Sequence, residues 1–207
     1  EATTGRLVTD YRGHRSRVGY VVFAPDGCWV VSCGWDGTVQ IRETATGRLI
    51  TAGRGHWNGG MSVAFAPDGR WVATGMKDGT VQVWEEATGR LVLECRGHQA
   101  GVRCAAFTPD GRWVASVGLG GTVQVRETAT GRLGIDYSYN SYNRWAKAVA
   151  FAPDGRWIAA GWSDGTVQVW ETTTGRLAVE DRGNWATVHC VAFAPDGRWV
   201  AAGDSDG

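Results

Sequence analysis

The stretch Glu43 to Trp84, ETATGRLITAGRGHWNGGMSVAFAPDGRWVATGMKDGTVQVW, decides the fold. It contains four short runs with alternating apolar residues, separated by turn residues, and none is long enough for a helix. The unit therefore predicts four strands. In Ala66-Pro67-Asp68-Gly69, proline pre-sets the φ of the first central position and glycine supplies the left-handed position that closes a short hairpin with a bulge. Asp78-Gly79 signals a two-residue hairpin, and Thr46-Gly47 a third tight turn. The strands between them are Ser62 to Phe65, Trp71 to Thr74, Thr80 to Trp84 and Arg48 to about Ala52. One such antiparallel meander buries too little surface to stand alone.

Repetition supplies what one sheet lacks. The chain has 5 Phe and 5 Pro in 207 residues, and each Phe lies two residues before a Pro, at Phe23, Phe65, Phe107, Phe151 and Phe193. Their spacings of 42, 42, 44 and 42 residues make the chain one unit written five times, as 1–42, 43–84, 85–126, 127–170 and an incomplete 171–207. Five sheets packed face to face around an axis bury both faces of each, the radial arrangement of a β-propeller. A β-sandwich would not need a fixed period with the same turn at the same place. The expectation is an all-β propeller domain of about five four-stranded antiparallel blades, the last lacking its third strand.

Composition narrows the function. Lys plus Arg and Asp plus Glu are 21 each, so the formal charge is zero and there is no general footprint for nucleic acid or an anionic membrane. No apolar run approaches the roughly 20 residues that span a bilayer. Cys28, Cys33, Cys95, Cys104 and Cys190 are odd in number, occupy different places in the repeat and form no CxxC pair. Framework disulfides and a zinc site are disfavoured, and the expected setting is soluble and cytoplasmic, with no metal or cofactor.

The residues resemble the WD-repeat family over essentially the whole chain. The likeness lies in Gly13-His14, Gly55-His56 and Gly97-His98 before the first strand, the PDG turn, the Asp-Gly turn, and a Trp followed by an acid at the end of the third strand. The resemblance implies a buried hydrogen-bonded tetrad within a blade, supplied in full by the second unit as His56, Thr74, Asp78 and Trp84. Elsewhere the pattern departs. The first unit has His14, Ser32 and Asp36 but Arg42 for Trp; the third has His98 and Ser116 but Gly120 for Asp and Arg126 for Trp. The fourth keeps Asp164 and Trp170 with Ala160 at the hydroxyl position and no Gly-His. The fifth has Asn184, Ala202 and Asp206. Each lost partner leaves a polar group to be satisfied by water or a neighbour.

Ser32, His14 and Asp36 also have the residue types of a nucleophile and its base, but their recurrence at equivalent positions marks them as bracing groups. His189, a lone histidine on a strand, is read as structural. Gly118-Leu119-Gly120-Gly121 has no helix after it and is a degenerate turn rather than a phosphate loop.

In a four-stranded blade the PDG and Thr-Gly-Arg turns share one end, and they hardly vary. The other end, formed by the second-to-third-strand turns and the crossings between blades, carries the variation. Trp35, Trp57, Trp145, Trp162 and Trp185 all fall in these variable segments, joined by Lys77, Tyr139, Tyr142 and Arg144, with Asn140 and Asn143. Trp, Tyr and Arg dominate interface hot spots, so these residues are the expected binding rim. The seven remaining Trp residues sit at strand positions and are assigned to packing.

The expected function is a non-catalytic scaffold that docks a protein or peptide on this rim, as the resemblance also implies. The alternative is a lectin-like propeller whose aromatic rings stack on sugars, although the rim aromatics do not repeat as one pocket. A hydrolase in the channel ranks third. Ring closure would make Arg6 to Thr9 the outer strand of the last blade. A gapped ring, a part of a longer repeat protein, or self-association through the incomplete last blade remain alternatives.

Overall fold

The computed structural model describes residues 3–54, 60–138, 144–183 and 186–206, and among them every regular element is a strand. The first sheet holds β1 (Val18–Phe23), β2 (Trp29–Gly34), β3 (Thr38–Glu43) and β4 (Leu49–Arg54). The second holds β5 (Gly60–Phe65), β6 (Trp71–Met76), β7 (Thr80–Glu85) and β8 (Arg90–Arg96); the third β9 (Val102–Phe107), β10 (Trp113–Gly118), β11 (Thr122–Glu127) and β12 (Leu133–Ser138). The fourth holds β13 (Ala146–Phe151), β14 (Trp157–Trp162), β15 (Thr166–Glu171) and β16 (Leu177–Arg182), and the fifth β17 (Val188–Phe193) with β18 (Val200–Asp204). Within each sheet the strands pair antiparallel in sequence order. The four-strand unit and the shortened last sheet agree with the repeat.

The PDG turn forms as its residues require. In the second sheet Gly69 N–H donates to Ala66 O at 2.9 Å, with Gly69 at φ +73°. The Asp-Gly connection differs from the two-residue hairpin expected. Gly79 N–H donates to Met76 O at 3.2 Å, so Lys77 and Asp78 are the central residues and Gly79, at φ +87°, takes the bulge position after them. The Asp is retained because its side chain closes the turn: Asp78 Oδ1 accepts from Thr80 N–H at 3.0 Å and from the Thr80 hydroxyl.

The core lies between sheets. Val31, Val39 and Ile41 of the first sheet meet Val72 and Trp84 of the second. Ala73 and Val83 of the second meet Ala105, Phe107 and Val114 of the third, and Val117, Val123 and Val125 of the third meet Ile158, Trp162 and Trp170 of the fourth. The inner strands β1, β5, β9, β13 and β17 touch in succession. No packing of comparable extent joins the first and last sheets among the described residues. Accordingly Tyr20 and Phe23 on β1 are exposed, as is Trp199, whose counterparts Trp29, Trp71, Trp113 and Trp157 are half-buried.

The expected strand at Arg6 to Thr9 is absent. Leu7 and Val8 are exposed and unpaired in any sheet, because the fifth sheet offers no third strand to hydrogen-bond them. The following residues pack on the first sheet instead. Tyr11 donates its hydroxyl to Thr44 O at 2.9 Å, and Gly13 lies against Gln40 and Arg42 just as Gly97 lies against Gln124 and Arg126. Residues 9–14 thus follow the path that the end of β8 takes beside the third sheet.

Two turn glycines separate backbone conformation from close approach. A Cβ at Gly79 would stand 2.3 Å from His98 O, whereas one at Gly27, φ +70°, meets nothing within 4 Å. G27A should cost about 1 kcal/mol, the left-handed penalty alone, and G79A at least about 3 kcal/mol because backbone must shift. Urea unfolding of the two variants checks this; equal losses would contradict the close approach of the second and third blades.

Candidate binding rim

The variable end of each blade is held by polar bracing whose membership changes from unit to unit. In the first blade His14 Nε2 lies 2.7 Å from Ser32 Oγ, and His14 Nδ1 lies 3.2 Å from Asp36 Oδ1 and 2.9 Å from Thr38 Oγ1. Burial alone would raise the Asp36 carboxyl. Hydrogen bonds from the Thr38 hydroxyl, the Arg15 and Thr38 N–H groups and His14 outweigh it and hold the pKa down at about 2. In the third blade, where Gly120 replaces the aspartate, His98 Nδ1 turns to Thr122 Oγ1 at 2.6 Å while Nε2 keeps Ser116 Oγ at 2.7 Å. The second blade places Trp84 Nε1–H on Thr74 Oγ1 at 3.0 Å; its His56 lies outside the described residues.

Where arginine replaces that tryptophan, the side chain ties down a turn. Arg42 donates to Gly47 O at 2.9 Å and to Gln40 Oε1 at 3.0 Å, and Arg126 repeats this with Gly131 O at 3.1 Å and Gln124 Oε1 at 3.3 Å. In the fourth blade Ala160 offers no hydroxyl, and Trp170 stacks on Tyr137 of the preceding outer strand, with ring centroids 4.7 Å apart. The Ser32–His14–Asp36 distances match a nucleophile, base and carboxylate. Yet the His14 and Asp36 side chains are 8% and 9% exposed, and the third blade repeats the serine, histidine and threonine of this arrangement without the acid.

Two expected rim residues belong to this inner framework. Arg144 pairs with Asp164 and donates to Thr166 Oγ1 at 3.2 Å, occupying the role that histidine has in the first and third blades. Trp162 is 1% exposed and packs in the core beside Trp170, so it is a packing residue and not part of the rim. Its counterpart in the first blade is Gly34, where a Cβ would come 2.3 Å from His14 Nδ1. In the second blade the same position holds Met76, which is also buried.

Three expected rim residues do lie on the surface. Trp35 is 61% exposed, with the Arg17 guanidinium 5.4 Å from the ring centroid, and Trp145 is 45% exposed. Lys77 is exposed at the turn position equivalent to Trp35. One backbone contact joins the second-to-third-strand turn to the inner-strand entry within the first, third and fourth blades: Trp35 N–H donates to Arg17 O at 2.8 Å, Leu119 N–H to Gly101 O at 3.0 Å, and Ser163 N–H to Trp145 O at 2.9 Å. Trp57, Tyr139, Tyr142 and Trp185 lie outside the described residues.

The inner strands add residues that the sequence pattern did not assign to the rim. Each inner strand is bulged one residue after its start, with register breaks between Val18 and Tyr20, Gly60 and Ser62, Ala146 and Ala148, and Val188 and Cys190, and opposite Val117 and Gly118 in the third sheet. The residues set out of register are Gly19, Met61, Arg103, Lys147 and His189. A bulge re-aims its side chain, and Arg103 and His189 are exposed. The available signal was a polar residue interrupting an apolar run, as in Val102-Arg103-Cys104 and Ala146-Lys147-Ala148. At the opposite end, a cavity of about 310 Å³ lined by Trp113, Val125, Arg132, Gly134, Ile135, Thr172 and Thr173 lies between the third and fourth sheets, away from the rim.

Five stretches, 5–42, 47–85, 89–126, 137–171 and 177–207, match the sequence profile described as WD domain, G-beta repeat. Among solved structures, the chain is similar to the computationally designed Ika8 protein in a P63 crystal form, with a TM-score of 0.87 and 32% identity. That likeness covers 99% of this chain and 61% of the designed one, so the chain spans about three fifths of its length. No curated protein matches the chain.

The third-blade bracing has a pH signature. Burial holds the His98 imidazole down at about 4 from its usual 6.5, so it stays neutral in the folded protein while the unfolded chain takes up a proton below 6.5. Stability from this group is full above pH 6.5 and lost as pH falls toward 4, by about 3 kcal/mol. The drop in melting temperature between neutral pH and pH 4 should be smaller in H98Q than in the unsubstituted chain. Equal drops would contradict a buried neutral histidine.

Proposed function

Since the chain belongs to the WD domain, G-beta repeat family, we propose that it is a non-catalytic scaffold docking a protein or peptide on the rim built by the second-to-third-strand turns and the entries to the inner strands. Family membership supports a protein-interaction scaffold in general. The observation that favours this end of the molecule is that Trp35 in the first blade and Trp145 in the fourth are both exposed at this end, each held by the equivalent backbone contact within its own blade. Rigid loops carrying exposed aromatic rings lose little entropy on binding and provide desolvated anchors. The rings differ from blade to blade, which suits one asymmetric partner better than a repeated sugar.

A second reading is self-association of the 207-residue chain. The uncovered faces of β1 and of β17 with β18 are counterparts of faces packed together four times within it. A solution mass above 22.3 kDa that falls to the monomer value with Y20K supports it, and a monomer at all concentrations excludes it.

For the rim, each tryptophan truncation should cost about 2 kcal/mol of binding. W35A/W145A should remain folded, by melting temperature, and lose proteins that the unsubstituted chain retains from a cell lysate. R112A, at the opposite end, should retain them. Identical retention by the rim variant would contradict the assignment.

A further inference from the structure

We infer that the rim selects an acidic peptide segment, an inference that rests on the rim as the docking surface. It follows from how charge is distributed at this end of a chain whose net charge is zero. The turn aspartates at this end of the first, second and fourth blades are engaged within their own blades. Asp36 accepts from Arg15 N–H at 2.6 Å and from the Thr38 hydroxyl at 2.7 Å; Asp78 is bound by Thr80; Asp164 is paired with Arg144. The third blade has Gly120 where the others have the acid.

The cations are left free. The side chains of Arg17, Lys77, Arg103 and Lys147 make no hydrogen bond or ion pair among the described residues, and of the four only Arg17 has a ring partner, in Trp35. They stand one per blade around the first four blades. Arg17 is at the entry to β1, Lys77 in the turn after β6, and Arg103 and Lys147 at the bulges of β9 and β13, inner strands that touch each other. Asp204 and Asp206 end this basic arc at the fifth sheet.

Unpaired cations beside exposed aromatic rings recognise carboxylates flanked by apolar side chains, and like charges on a competing segment are repelled. The zero net charge of the whole chain supplies no long-range pull on a polyanion, which favours a short acidic segment over nucleic acid.

The test is selection of a phage-displayed random dodecapeptide library on the intact chain, followed by affinity measurements on the selected peptides. The expected pool is enriched in Asp and Glu over the naive library. Its peptides should weaken about tenfold on R103E/K147E, a variant that melts as the unsubstituted chain does, and should weaken further with added salt. A pool without acidic excess, or acidic peptides that bind R103E/K147E equally well, would overturn the inference. If that pool still depends on Trp35 and Trp145, the rim assignment stands and only the charge preference fails. A pool indifferent to both pairs, or no selected pool, counts against both. Tighter binding of a single-stranded oligonucleotide than of the acidic peptides, lost in R103E/K147E, would also overturn the choice of a peptide.

Discussion

Burial of both faces of each sheet is the constraint on which the rest depends. A four-stranded meander made of six-residue strands has too little apolar surface to hold itself together, and here the central strands of the second, third and fourth sheets are nearly inaccessible with a neighbouring sheet on either side. Strands β6 and β7 are buried almost throughout, whereas β16, on the outer edge, is exposed along its length. The same constraint explains β1, where Tyr20 and Phe23 are exposed while Phe107 at the equivalent place on β9 is 8% exposed. Apolar residues at fixed positions hold the sheets together, and the ends of the strands are left to vary.

The polar bracing at the variable end shows how far that freedom extends. Ser or Thr, His, Asp and Trp or Arg are exchanged between units, and each loss is met locally. Thr122 keeps the contact to histidine Nδ1 that Thr38 makes in the first blade, without the aspartate beside it; Arg42 and Arg126 bind turn carbonyls in place of an indole, and Arg144 takes over from a histidine. Buried polar groups are costly when unpartnered, so substitutions survive where a neighbour can donate or accept. The turn aspartates of the first, second and fourth blades are engaged in this bracing.

Much of the architecture was legible in the sequence because turn chemistry is local. Pro67 and Gly69 specify the hairpin whatever surrounds them, and the 42-residue spacing of Phe and Pro reveals the stacking. The Asp78-Gly79 turn was located but typed one residue off, because the hydrogen bond from Gly79 to Met76 is set by strand register and not by the dipeptide. The rim was legible only in part. Trp162 and Arg144 lie in variable segments, yet one packs between sheets and the other braces the Asp164 turn where the first blade has a histidine, both three-dimensional consequences. Arg103 and Lys147 were hidden within apolar runs, because a bulge is a property of two paired strands.

One end of the molecule is fixed by turn mechanics, and the proposed function assigns recognition of a partner to the other. Site-specific photo-cross-linking tests that division most directly, with benzoylphenylalanine placed at Lys77 on the rim and, in a separate protein, at Arg156 beside the PDG turn of the fourth blade. A captured partner or selected peptide should form an adduct from position 77 and none from position 156. Adducts of equal yield from both positions, or from position 156 alone, would contradict the account.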